Sequence, residues 1–222
     1  MAGSISCRKK TTLNNTRTVL FDFDGTIADT LSYGVSLFNE IRSAQGKKII
    51  QPQEIGEYRS LPYAKVMTML GVSWIELPGL LLQLRNRLHE NMAKIRPYNG
   101  MLEVLASLHN AGIEIGILTS NSRKNVELFL SNNSIQTVSS VISLPSLFGK
   151  DHALRLFMRE RHLKQSEVIY IGDELRDIAA ARKAGIRVIA VTWGLHSRQL
   201  LARGNPFLIA DTPGQLRTHL IP

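Results

Sequence analysis

The chain has 222 residues, 44% hydrophobic and 20% charged, a globular composition sufficient for one sizeable domain or a domain with a smaller insert. Its single cysteine, Cys7, excludes an intrachain disulfide framework and suits a reducing, cytoplasmic setting; no apolar run exceeds four residues, which excludes a membrane-spanning helix. The formal net charge of +9 raises the question of a polyanionic partner, and its distribution has to answer it.

Residues 1–17 carry Arg8, Lys9, Lys10 and Arg17 with no acid, in a Ser/Thr/Asn-rich context. A solvated tail is the plain expectation. A transit peptide stays open on the same composition, although no long amphipathic run supports it; a secretory signal is not expected, because no apolar stretch follows the basic cluster. A strand is predicted over 18–24, TVLFDFD, ending at Gly25. Residues 31–95 read as a helical insert punctuated by Pro52, Pro62 and Pro78, with Asp29 placed to cap its first helix. Leu81, Leu84, Leu88 and Met92 recur at helical spacing, which predicts a packing stripe.

After Pro97 the pattern alternates. Helices are predicted over 101–112, 125–133, 151–163 and 177–185, and strands over 113–119, 138–143, 168–172, 187–193 and 207–211, before a C-terminal helical turn. Helices alternating with apolar strands imply parallel, right-handed βαβ units. The expected fold is therefore α/β, with a Rossmann-like parallel sheet core from residues 18–30 and 96–222 and a small α-helical insert at 31–95.

Ligands of open α/β sheets bind beyond the carboxyl ends of the strands. That rule singles out Asp22 and Asp24, Thr119, and Gly172 with Asp173; Lys150 follows the 138–143 strand after a short loop. Two aspartates one residue apart alternate faces in an extended chain, so a turn at Gly25 must bring both into one crevice. The blander readings are turn aspartates, a strand-end hydroxyl and a surface lysine. Glu174 and Arg176 read as solvated, and the six histidines show no metal-ligand spacing.

Taken together, DFDGTIADT, ILTSN, GKDH and GDELRD resemble the haloacid dehalogenase-like phosphatase superfamily, in order and over nearly the whole chain after residue 17. The resemblance implies Asp22 as a nucleophile forming an aspartyl-phosphate and Asp24 as the acid and base. It implies Thr119, the Ser120 backbone and Lys150 as phosphate contacts. It further implies Mg2+ held by Asp22, the Asp24 carbonyl and Asp173, with Asp177 supporting Lys150 or the metal.

An acid at Asp24 separates this pattern from the dehalogenases proper, whose halide leaving groups need no proton. The insert resembles the cap of phosphoglycolate phosphatases, which implies a small phosphorylated metabolite, phosphoglycolate first among them, rather than a nucleic acid or a membrane. Arg42, Lys47, Lys48, Arg59 and Lys65 are candidates for a second anionic group, or else a solvated basic face. A phosphomutase of the β-phosphoglucomutase kind and a non-catalytic binding protein are the alternatives. Oligomeric state is not readable.

Overall fold

The structure, a computed structural model, describes residues 15–144 and 149–221. The expectations for Cys7 and for the leader, residues 15–17 apart, fall outside the described residues. The sheet is built from β1 (Thr18–Phe21), β2 (Glu114–Thr119), β3 (Ser140–Ser143), β4 (Val168–Gly172), β5 (Arg187–Val191) and β6 (Leu208–Ala210). All pairs are parallel and the order is β3-β2-β1-β4-β5-β6.

Side-chain alternation assigns the two faces. Val19, Phe21, Ile115, Ile117, Ile169 and Ile171 point to one core, where α5 (Met101–Asn110), α6 (Arg123–Asn132) and α10 (Pro213–Leu220) pack. Leu20, Leu118, Val168 and Tyr170 point to the other, against α7 (Lys150–Glu160), α8 (Leu175–Ala184) and α9 (Arg198–Arg203). A sheet covered on both faces favours apolar residues at successive strand positions, which is why β1, β4 and β5 read as near-continuous apolar runs. Each such buried aliphatic or aromatic side chain contributes roughly 1.5–3 kcal/mol.

β1 stops at Phe21, three residues before the predicted end, because the chain then turns on itself. The amides of Thr26, Ile27 and Ala28 all donate to the Phe23 carbonyl. Helix α9 was not expected from the sequence; its six residues are too short for a periodic signal, and Ser197 Oγ caps it by accepting from the Leu200 amide. The insert helices are α1 (Leu31–Ala44), α2 (Ile55–Tyr58), α3 (Tyr63–Met69) and α4 (Leu77–Asn91). Contrary to expectation, the N-cap position of α1 is Thr30, not Asp29. The Asp29 amide donates to the Arg96 carbonyl and the Tyr98 amide to the Ile27 carbonyl, so the two connections of the insert run side by side.

The insert has its own apolar cluster of Phe38, Ile41, Tyr58, Leu70, Leu77 and neighbours. Arg42 is buried inside it, donating to the Leu70 carbonyl at 2.6 Å and to the carbonyls of Lys48 and Gly71. It is therefore a structural cation and not a substrate contact or part of a solvated face. Arg42→Met strands those carbonyls, each unsatisfied buried acceptor costing about 1–3 kcal/mol. Hydrogen exchange should quicken across residues 31–95 while the β1 and β4 amides keep their protection; equal loss in both regions would show that the insert has no stability of its own.

Candidate active site

The strand order reverses around β1, since the chain runs outward to β3 and returns to β4 beside β1. Such a switch point opens a crevice at the carboxyl edge. Asp22 lies at the end of β1, Thr119 ends β2 and Asp173 follows β4, while Lys150 begins α7. A lysine at a helix N-terminus is opposed by the helix dipole, so its position needs a stronger local reason.

Carboxylates supply it. The buried Lys150 Nζ lies 2.9 Å from Asp22 Oδ2 and 2.7 Å from Asp177 Oδ1. It also donates to the Tyr170 hydroxyl at 2.9 Å. Burial disfavours the ammonium, but Asp177 and Asp22 outweigh it and hold the Lys150 pKa above its ordinary value. Asp22 Oδ1 accepts from the Phe23 amide at 2.8 Å. Burial nevertheless pushes the Asp22 carboxyl up to about 7, despite the opposing charge of Lys150.

Asp24 faces a different partner. Asn121 Nδ2 donates to both of its carboxylate oxygens at 3.1 Å. Asn121 Oδ1 in turn accepts from Asn125 Nδ2 at 2.9 Å, and Asn125 Oδ1 meets His89 Nδ1 of the insert at 2.5 Å. A hydrogen-bonded chain thus links α4 to the Asp24 carboxylate. Burial raises the Asp24 pKa, and the Asn121 bond acts against it. Thr119 is fully buried, its Oγ1 accepting from the Asn121 amide at 2.9 Å. The Ser120 carbonyl accepts from Arg85 at 3.1 Å.

Asp173 is held by the Leu195 amide at 2.6 Å and by Thr26 Oγ1 at 3.0 Å. Side chains are excluded around it: a Cβ on Gly25, whose φ is +75°, would lie 2.3 Å from Asp173 Oδ2, and one on Gly194 would lie 2.2 Å away. Asp22, Asp173 and Asp177 each place an oxygen within 4.8 Å of the others. Burial, then the charges of Glu174, Asp22 and Asp177, drives the Asp173 pKa well up. One ammonium cannot offset that crowding. An all-oxygen, buried, anionic cluster is the donor set a hard divalent cation requires, so the residues fit such an ion.

The crevice continues under the insert as a cavity of about 600 Å³ lined by Asp24, Ser120, Asn121, Arg85 and several leucines. Leu81 and Leu84 line it as well as packing within the insert, whereas Leu88, which also lines it, and Met92 pack against the sheet core, so the expected stripe is divided between insert and core. Of the remaining insert cations, Lys47 pairs with Glu76, Lys48 pairs with Glu54 at 3.3 Å, and Lys65 is exposed. Arg59 bridges insert and core, donating to the Thr192 carbonyl at 2.7 Å and the Leu195 carbonyl at 3.3 Å.

Two solvated assignments are corrected. Glu174 is buried and Arg176 pairs with it at 2.5 Å. Among the histidines, His196 is also buried, its Nδ1 accepting from the Leu175 amide at the start of α8. Sequence reading missed Asn121, Tyr170 and Arg85. Tyr170 left a signal, a hydroxyl in an otherwise aliphatic strand. Arg85 left another, a cation interrupting the leucine stripe of α4.

Among the described residues, no helix is long and apolar enough to cross a membrane. Comparison with known proteins matches residues 19–191 to the family described as haloacid dehalogenase-like hydrolase. The chain is 31% identical over 199 residues to a phosphoglycolate phosphatase of Synechococcus elongatus, covering 89% of this chain and 94% of that one. It is 29% identical over 209 residues to an N-acetylmuramic acid 6-phosphate phosphatase of Pseudomonas aeruginosa, covering 90% and 92%. A haloacid dehalogenase-like hydrolase of Streptococcus pneumoniae shares the fold with a TM-score of 0.77 at 20% identity, over 93% of this chain and 99% of that one. With the family match spanning most of the sequence and the acidic crevice at the switch point of its sheet, the chain belongs to the haloacid dehalogenase-like hydrolases.

Proposed function

We propose that the protein is a Mg2+-dependent phosphatase of a small phosphorylated metabolite, working through an aspartyl-phosphate on Asp22. The separation of two carboxylates carries the reading: Asp22 is bonded to Lys150, whereas Asp24 is turned to Asn121. One is oriented as a nucleophile and the other is kept for proton transfer. Residues 31–95 serve as the cap over a core of 18–30 and 96–222.

In the first step an Asp22 oxygen attacks phosphorus, and the ester oxygen leaves with a proton from Asp24. In the second, water attacks the aspartyl-phosphate, its proton passes to Asp24, and phosphate leaves a regenerated Asp22. Thr119 and the Ser120 amide hold the phosphoryl oxygens while Lys150 offsets their charge. Asp177, bonded to Lys150 and to the Glu174 amide, fixes the lysine. Asp22, the Asp24 carbonyl and Asp173 would hold the Mg2+, which when bound compensates the phosphate charge against these carboxylates.

Phosphoglycolate is the first substrate to test. It is the named substrate of the Synechococcus relative, and that of the Pseudomonas relative is likewise an acid bearing a phosphate. Substrates of this class require no polyanion-binding surface.

Asp22→Asn should lower phosphate release from phosphoglycolate by a factor on the order of 10³ or more. Undiminished turnover in that variant would remove Asp22 as the nucleophile. Saturating Mg2+ should raise the melting temperature of the wild type, since a ligand at 100 times its Kd stabilises by about 2.7 kcal/mol. Asp173→Ala should abolish the increment; an equal shift in both proteins would place the ion elsewhere.

A further inference from the structure

The cavity beside Asp24 has an uneven wall. Six leucines with Trp74 and Pro78 form most of it, and its polar side chains are those of Asp24, Arg85, Ser120 and Asn121. On α4, Leu77, Leu81, Leu84 and Leu88 fall at i, i+4, i+7 and i+11, one face of the helix. Arg85, at i+8, stands on that same face, half-buried, whereas Arg87 is turned outward to Glu40. A guanidinium is costly to hold against leucines unless its donors are used.

Few of them are. Arg85 presents five N–H donors, and among the described residues its one hydrogen bond is to the Ser120 carbonyl at 3.1 Å. The other cations near the crevice are held by protein groups, although the buried Arg176 Nε has no partner among the described residues. Lys150 is bound by Asp22 and Asp177, Arg176 by Glu174, and Arg59 by the Thr192 and Leu195 carbonyls. Arg85 alone of these opens into the 600 Å³ cavity shared with Asp24, Ser120 and Asn121.

On the phosphatase reading above, Asp24 marks where the leaving oxygen lies and Ser120 marks the edge of the phosphate site. The group that Arg85 faces is therefore the leaving group. We infer that Arg85 is the residue that selects substrate, binding a carboxylate carried by the leaving group, so that the preferred substrates are phosphomonoesters of hydroxy acids. The planar fork suits a carboxylate bidentately. A leaving group without a carboxylate would instead leave those guanidinium donors without an anion to bind.

The test compares phosphoglycolate with ethyl phosphate, which has the same two-carbon length and no carboxylate, by phosphate release from the full chain with Mg2+. The wild type should prefer phosphoglycolate in kcat/KM. Arg85→Gln should cut that preference about tenfold or more, chiefly through the KM for phosphoglycolate, and Arg85→Lys should restore part of it. A preference identical in all three proteins, even with lower activity throughout, would overturn the assignment of Arg85 while leaving the phosphatase reading intact. A wild type that prefers ethyl phosphate would do the same. No turnover of either ester, nor of any phosphomonoester in a wider panel, would overturn both readings.

Discussion

The site depends on one electrostatic imbalance, the burial of Asp22, Asp173 and Asp177 around a single lysine. Carboxylates within 4.8 Å of one another repel, and burial removes the water that would screen them. Lys150 offsets part of that repulsion, and burial first, with the neighbouring carboxylates adding to it, raises the pKa values of Asp22 and Asp173. A cation and a phosphate are complementary requirements here. The cation answers the carboxylates, and the phosphate then finds a positive environment instead of a repulsive one. The sheet order matters because it alone brings the ends of β1 and β4 side by side.

The same imbalance explains the close backbone around Asp173. Its carboxylate is fixed between the Leu195 amide and the Thr26 hydroxyl, and Gly25 and Gly194 leave it the space. Leu195 and Ser197 are also where the insert docks, through Arg59 and through the Ser60–Ser197 hydroxyl contact at 3.1 Å. The segment that orients Asp173 is thus the segment that the insert touches. On the other side, His89 reaches Asp24 by way of Asn125 and Asn121. The position of the insert and the geometry of the site share these bonds at both ends, so a substitution that shifts residues 31–95 bears on Asp24 and Asp173 together.

Much of the frame was legible in the sequence because it is written in local chemistry. Apolar runs buried on both faces marked the central strands, and Asp22, Thr119, Lys150 and Asp173 stood at element ends, where ligands of such sheets gather. What was hidden depends on long-range partners. Arg42 and Arg59 look like surface cations until the carbonyls they serve are brought near. Glu174 and Arg176 look solvated until the fold buries the one and pairs it with the other. Asn121 is a loop residue like many others, and only the fold turns its amide toward Asp24, 97 residues away.

The net charge of +9 illustrates the same distinction. A count of cations treats every lysine and arginine as equally available, whereas availability is set by what each already touches. Arg42 is spent on the interior of the insert, Arg59 on its docking, Lys47 and Lys48 on neighbouring acids, and Lys150 on the acidic cluster. Excess charge at the surface can still draw an anion toward the crevice. Recognition within it falls to donors that open into the cavity, and Arg85, which adds one unit to the total, lines that cavity together with Asp24 and Ser120.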